Sequence, residues 1–158
     1  MFKPIGGLLL SLALSTSAMA DGETRTNQPS TVVFVCLHGS VKSQMAAAYF
    51  NRIAQQRGVP VIAISRGIAV DLAIPPGIRQ GLAGDGLTPL DDVPQQLKSE
   101  TASAAARVIA FDEVPADRQG TAAITYWSDV PPATKNYAAA RDAIVRHVED
   151  VIDMLAKQ

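Results

Sequence analysis

Residues Thr31 to Val35 form a near-continuous apolar, mostly β-branched run, the pattern of a strand buried on both faces of a parallel sheet. The run ends at Cys36, followed by a short loop containing Gly39 and Ser40 and then, from Ser43, an Ala-rich helical pattern. In that pattern Met45, Ala46, Tyr49, Phe50 and Ile53 recur at helical spacing to Arg57, and Gly58 with Pro60 closes it. A second buried strand is predicted at Val59 to Ile64. Strand, loop, helix and strand follow one another within the length of one βαβ crossover. The chain is thereby committed to parallel pairing from its first element.

The later segments repeat the alternation. Pro75 and Pro76 suit the first turn of a helix running to Ala83, with Gly84, Asp85 and Gly86 as its stop. A helix over Val93 to Ala105, with Pro94 in its first turn, is expected next, although Ser99, Thr101 and Ser103 lower its propensity. Arg107 to Phe111 and Ala122 to Trp127 read as third and fourth strands. The last helix spans Lys135 to Lys157, with Ala140, Ile144, Val148, Val151, Ile152 and Leu155 on one apolar face. The expected fold class is therefore α/β: a doubly wound four-stranded parallel sheet with helices on both faces. In such sheets ligands bind beyond the carboxyl ends of the strands, where Cys36 stands.

The first twenty residues read differently. Lys3, an apolar stretch from Ile5 to Leu14, and small residues ending Ala18-Met19-Ala20 make a secretory signal with cleavage after Ala20. Ser11, Ser15, Thr16 and Ser17 interrupt the apolar run, which is too short for a membrane anchor. Residues 21–30 are a polar leader, and 31–158 are expected to form one domain. Periplasmic or secreted localisation follows, with no membrane attachment after cleavage. Losing Lys3 leaves 13 basic against 15 acidic side chains, so there is no basic footprint for nucleic acid and no polybasic membrane patch. One cysteine and two histidines cannot build a cysteine-rich zinc site, and no metal or cofactor is expected.

Chemistry concentrates at Cys36. A thiol ahead of a loop that feeds a helix N-terminus faces converging backbone N–H groups and the positive end of the helix dipole. Both favour thiolate over thiol and both favour a bound oxyanion. Leu37, His38, Gly39, Ser40, Val41 and Lys42 are the candidate anion-binding residues, Cys36 the candidate nucleophile. Ser43 either donates its hydroxyl to the thiolate or caps the helix. An inert core cysteine is the alternative for Cys36, and its place at a Gly/Ser loop argues against it.

Cys36-x5-Lys42-Ser43 between strand and helix resembles the low-molecular-weight protein tyrosine phosphatases and the related arsenate reductases. The match is best in Val33-Phe34-Val35-Cys36 and Ser43-Gln44-Met45-Ala46. It continues through Ser65-Arg66-Gly67, Gly84-Asp85-Gly86-Leu87, Val108-Ile109-Ala110-Phe111-Asp112-Glu113 and Tyr126-Trp127-Ser128-Asp129-Val130-Pro131. The resemblance implies a cysteinyl-phosphate mechanism acting on a phosphorylated substrate or phosphate-like oxyanion, with an Asp as general acid. Asp129 is the acid it points to and Asp112 the reserve, since Val130 separates Asp129 from the proline that would directly follow it in the family.

Lys42 is the chief departure. Where the family has a planar, bidentate Arg, Lys offers a flexible point charge, so anion binding should survive better than catalysis. His38 and Gly39 stand where Gly and Asn are common, and Gly39 can adopt the positive φ such a loop requires. Three readings stay open: a phosphatase-like enzyme slowed by Lys42, a non-catalytic oxyanion-binding protein, and an arsenate reductase or thiol-transfer protein. The last needs an external thiol, because the chain has no second cysteine.

Overall fold

The computed structural model describes residues 28–158. The expected signal sequence and most of the leader lie outside the described residues. Four strands, β1 (Ser30–Cys36), β2 (Val61–Gly67), β3 (Arg107–Ala110) and β4 (Ile124–Tyr126), form one sheet in the order β2-β1-β3-β4. All three pairings are parallel, as expected. The helices are α1 (Lys42–Arg57), α2 (Pro76–Gly84), α3 (Ser99–Ala104) and α4 (Tyr137–Leu155), with a 3-10 turn at Ala116–Arg118.

Strand β1 shows why its sequence lacks alternation. Val32, Phe34 and Cys36 face a core shared with α1, α2 and α4, whereas Val33 and Val35 face a second core with Leu97, Ala102 and Val114. Burial on both faces demands apolar residues at every position. Helix α1 lies between the sheet and α4 and is buried almost all round from Ser43 to Ala54. It ends at Gly58, whose φ of 65° lets Gly58 and Val59 donate back to the last carbonyls of the helix.

That closure moves β2. Val59 N–H is spent on Ala54 O (3.0 Å), so the strand expected from Val59 begins at Val61 and runs on to Gly67, which pairs with Cys36. The helix expected over Val93 to Ala105 is reduced to Ser99–Ala104. Its first half is extended instead: Gly67 N–H donates to Gln95 O and Leu97 N–H to Gly67 O, both at 2.8 Å. Pairing with an open sheet edge outweighs a weak local preference for helix. Helix α4 starts two residues later than expected, where Asn136 Oδ1 accepts from Ala139 N–H (3.0 Å) as its cap.

The chain leaves β1 toward β2 on one side, and β3 pairs on the other. The crevice at the carboxyl ends of β1 and β3 is thus the switch point of the sheet, where such folds bind ligands.

Candidate active site

Cys36 ends β1 and is 3% exposed. Its Sγ lies 3.0 Å from Ser43 Oγ, which in turn accepts from Ser65 Oγ at 2.8 Å. With Ser65 donating into Ser43, the Ser43 hydrogen is directed at the sulfur. Ser43 and Ser65 are both fully buried. The alternative reading of Ser43 as a helix cap finds no support in the geometry: the cap position is Val41, and no side chain caps the helix.

The loop from Leu37 to Val41 is held from several directions. Gly39 adopts a φ of 64°, as expected for this loop. Its backbone packs so closely on Gly67 that a Cβ on Gly39 would come within 2.9 Å of Gly67 N, and one on Gly67 within 2.6 Å of Gly39 N. Only two glycines permit that approach. Gln44, fully buried, donates to Gly39 O and Asp91 Oδ2 (both 3.1 Å) and accepts from Leu90 N–H (3.0 Å). Ser40 Oγ donates to Asp71 Oδ2 at 2.5 Å, and Asp71 N–H donates to His38 O at 3.1 Å. Leu37 N–H donates to Asp112 Oδ2 at 2.8 Å.

A cavity of about 240 Å³ opens over Cys36, lined by Leu37, His38, Val41, Lys42, Asp112, Pro132, Ala133 and Thr134. Cys36, Leu37, His38, Val41 and Lys42 therefore share one wall. Gly39 and Ser40 do not line it and act behind it, as the close contact and the latch just described. Lys42 Nζ stands 5.4 Å from the centre of the Phe111 ring. Phe111 packs edge-on against Trp127, which packs on Phe34, so an aromatic floor supports the lysine.

Asp129 is not where the sequence expectation needs it. Its carboxylate lies 2.8 and 2.9 Å from His147 Nε2, and it is absent from the cavity wall. That hydrogen bond holds the Asp129 carboxyl below the usual carboxylate range. The physical cause is α4: His147 stacks on Trp127 with ring centres 4.7 Å apart and draws Asp129 toward the helix. Asp112 lines the cavity in its place. Trp127 is core, and Tyr126, 47% exposed, does not line the cavity.

Asp71, Gln44 and Ser65 are site-building residues that motif reading passed over as functional positions. Gln44 and Ser65 lay within the matched segments Ser43-Gln44-Met45-Ala46 and Ser65-Arg66-Gly67, whereas Asp71 carried no signal. Among the described residues, no group of three or more His, Cys, Asp or Glu side chains is placed to hold a metal ion. The arrangement offers a thiol with a hydroxyl donor, a cation and a carboxyl group around one cavity, which suits attack on a tetrahedral oxyanion.

The fold has solved relatives. YfkJ from Bacillus subtilis is 22% identical over 82% of this chain and 96% of that one, with a TM-score of 0.72. The arginine phosphatase YwlE, also from Bacillus subtilis, is 19% identical over 81% and 97%, TM-score 0.69. An arsenate reductase from Archaeoglobus fulgidus is 20% identical over 77% and 98%, TM-score 0.57. No curated protein matches the chain. The family model described as low molecular weight phosphotyrosine protein phosphatase matches residues 31–154, and the chain belongs to that family.

Proposed function

We propose that this is an exported, cysteine-dependent phosphatase that hydrolyses phosphomonoesters, aryl phosphates such as phosphotyrosine included, through a cysteinyl-phosphate, at a rate held down by Lys42. One observation carries the reading: Cys36 Sγ, 3.0 Å from Ser43 Oγ, opens onto the cavity it shares with Lys42 and Asp112. A family relative with a phosphorylated active site serine supports the phosphoryl acceptor role of this position. Export rests on the signal pattern of Met1 to Ala20.

In the first step the Cys36 thiolate attacks phosphorus, the S–P bond forms and the P–O bond to the leaving group breaks with its electron pair on oxygen. Asp112, as the carboxylic acid, protonates that oxygen. In the second step Asp112 takes a proton from water, the water oxygen attacks phosphorus, and the S–P bond breaks to return thiolate and phosphate. Ser43 lowers the cost of the thiolate in both directions. Lys42 supplies charge but not the two parallel donors of a guanidinium. Losing one preorganised donor to the transition state costs about 10²- to 10³-fold in rate.

The test is hydrolysis of an aryl phosphate by the mature protein. Cys36→Ser should abolish turnover while retaining phosphate affinity, and Lys42→Arg should raise kcat/KM about tenfold or more. N-terminal sequencing of protein recovered outside the cytoplasm should begin at Asp21; a cytoplasmic protein retaining Met1 refutes export. A second reading, oxyanion binding without turnover, draws on the pairing of Asp129 with His147 away from the cavity. Bound phosphate or vanadate with no Cys36-dependent turnover would establish it instead.

A further inference from the structure

A tetrahedral dianion needs more positive charge than the fixed charges of this cavity provide. The titratable residues on its wall are Cys36, His38, Lys42 and Asp112. Lys42 brings one positive charge, an ionised Asp112 cancels it, and a Cys36 thiolate adds a negative one. Pro132, Ala133 and Thr134 close the far side without charge. His38 is the remaining side chain that can become a cation there.

Its ring is already oriented. Nδ1 lies 3.1 Å from Ala69 O, and since a carbonyl only accepts, Nδ1 carries the hydrogen. Asp71 Oδ1 lies 3.4 Å from the same nitrogen. Asp71 is fixed in turn by the buried Ser40 hydroxyl on its other oxygen and by its own N–H on His38 O. The second proton of an imidazolium therefore goes to Nε2, the nitrogen not engaged by the segment after β2.

We propose that His38, oriented by Asp71, is the second cation of this site: as imidazolium it donates Nε2–H to a bound tetrahedral dianion beside Lys42. The proposal rests on the cavity being a phosphate-type site. The groups facing His38 are Asp71 from the segment after β2, Lys42 at the start of α1, Asp112 after β3, and Cys36. Asp71 and the bound dianion attract a positively charged ring, while Lys42 repels it. His38 is half-exposed, so solvent screens its charge and moderates the effect.

The experiment uses inorganic sulfate, a dianion across the whole range, titrated by calorimetry into Cys36→Ser protein from pH 5.5 to 8.0. That background removes the titration of the thiol. Sulfate affinity should fall about tenfold as pH rises through the range where an imidazole loses its proton. In the added His38→Gln variant the tenfold fall should be lost, and any pH dependence that remains is the share of Asp112, which is left in place. Asp71→Asn keeps an oxygen for Ser40 but removes the carboxylate beside Nδ1, and should shrink the fall by leaving the ring less firmly oriented. A His38→Gln profile matching its parent overturns the proposal, as does absence of sulfate binding at pH 5.5. Circular dichroism confirms that each variant is folded. The phosphatase reading is scored separately, on Cys36-dependent turnover, so either can fail alone.

Discussion

Replacing Ser43 by alanine separates chemistry from architecture at this site. Ser43 Oγ is the 3.0 Å partner of Cys36 Sγ and the 2.8 Å acceptor of Ser65 Oγ. It caps nothing, so the usual loss of a helix cap does not enter. What the variant loses from the fold is two buried hydrogen bonds, to Cys36 and from Ser65, leaving Ser65 Oγ with only a 3.4 Å contact to Gly39 O. Such losses cost about 1 kcal/mol each, and the better helix propensity of alanine returns a few tenths. Stability should therefore fall by about 1–2 kcal/mol, read from urea unfolding.

Reactivity should change as well. A hydrogen bond to a charged group contributes about 1.5–3 kcal/mol, and each 1.36 kcal/mol is tenfold, so losing the Ser43 hydroxyl from the attacking sulfur should lower kcat/KM on an aryl phosphate about 10- to 150-fold. The assay is kcat/KM on an aryl phosphate alongside the rate of Cys36 alkylation by iodoacetamide, followed by intact mass. A Ser43→Ala protein within twofold of wild type in both would refute activation of the sulfur by this hydroxyl.

Four further substitutions test the remaining assignments. Asp112→Asn should lower kcat on poor leaving groups by about 10²-fold or more, whereas Asp129→Asn should leave it within about threefold. Because His147 lowers the Asp129 pKa, the stability from that pair is present above the ordinary carboxylate range and lost as pH falls through the lowered value. Wild-type Tm should thus fall on acidification by more than that of Asp129→Asn. Gly39→Ala forces a side chain to φ 64° and 2.9 Å from Gly67 N, and should cost about 1–3 kcal/mol in urea unfolding together with most of the turnover. Tyr49→Phe removes the hydroxyl that donates to Asp85 Oδ2 (2.5 Å) and meets Tyr137 Oη (2.7 Å), and should cost about 1–3 kcal/mol without altering the alkylation rate of Cys36.

The parts legible in the sequence are those set by burial on two faces. Val32 to Val35 had no polar position to spare, so strand, sheet class and the place of Cys36 followed together. Val93 to Ala105 was misread as one helix because its first half pairs with Gly67, a partner some thirty residues away that no local propensity reveals. Asp129 was misplaced for a similar reason. Its neighbours in sequence suggested an acid loop, but a histidine eighteen residues later, fixed by stacking on Trp127, decides where the carboxylate goes. Tyr49, Asp85 and Tyr137 meet from three separate segments, and burial with the Asp85 hydrogen bond raises the Tyr49 hydroxyl above its ordinary range. Such a cluster is invisible until α1, α2 and α4 are packed.

Asp112 ties the anion site to its chemistry. Its carboxylate accepts the Leu37 N–H that opens the loop and stands on the same cavity wall as Cys36. An ionised carboxylate and a bound phosphate dianion in one small cavity repel each other, and two like charges at close range cannot both persist at low cost. The proposed mechanism uses a protonated Asp112 in its first step, which would avoid this repulsion and would carry the proton that a leaving oxygen requires. In the proposed second step an Asp112 carboxylate would face the cysteinyl-phosphate and the water that must attack it. Lys42 tempers the repulsion with a single mobile charge, which is why its replacement by arginine should act on rate more than on affinity.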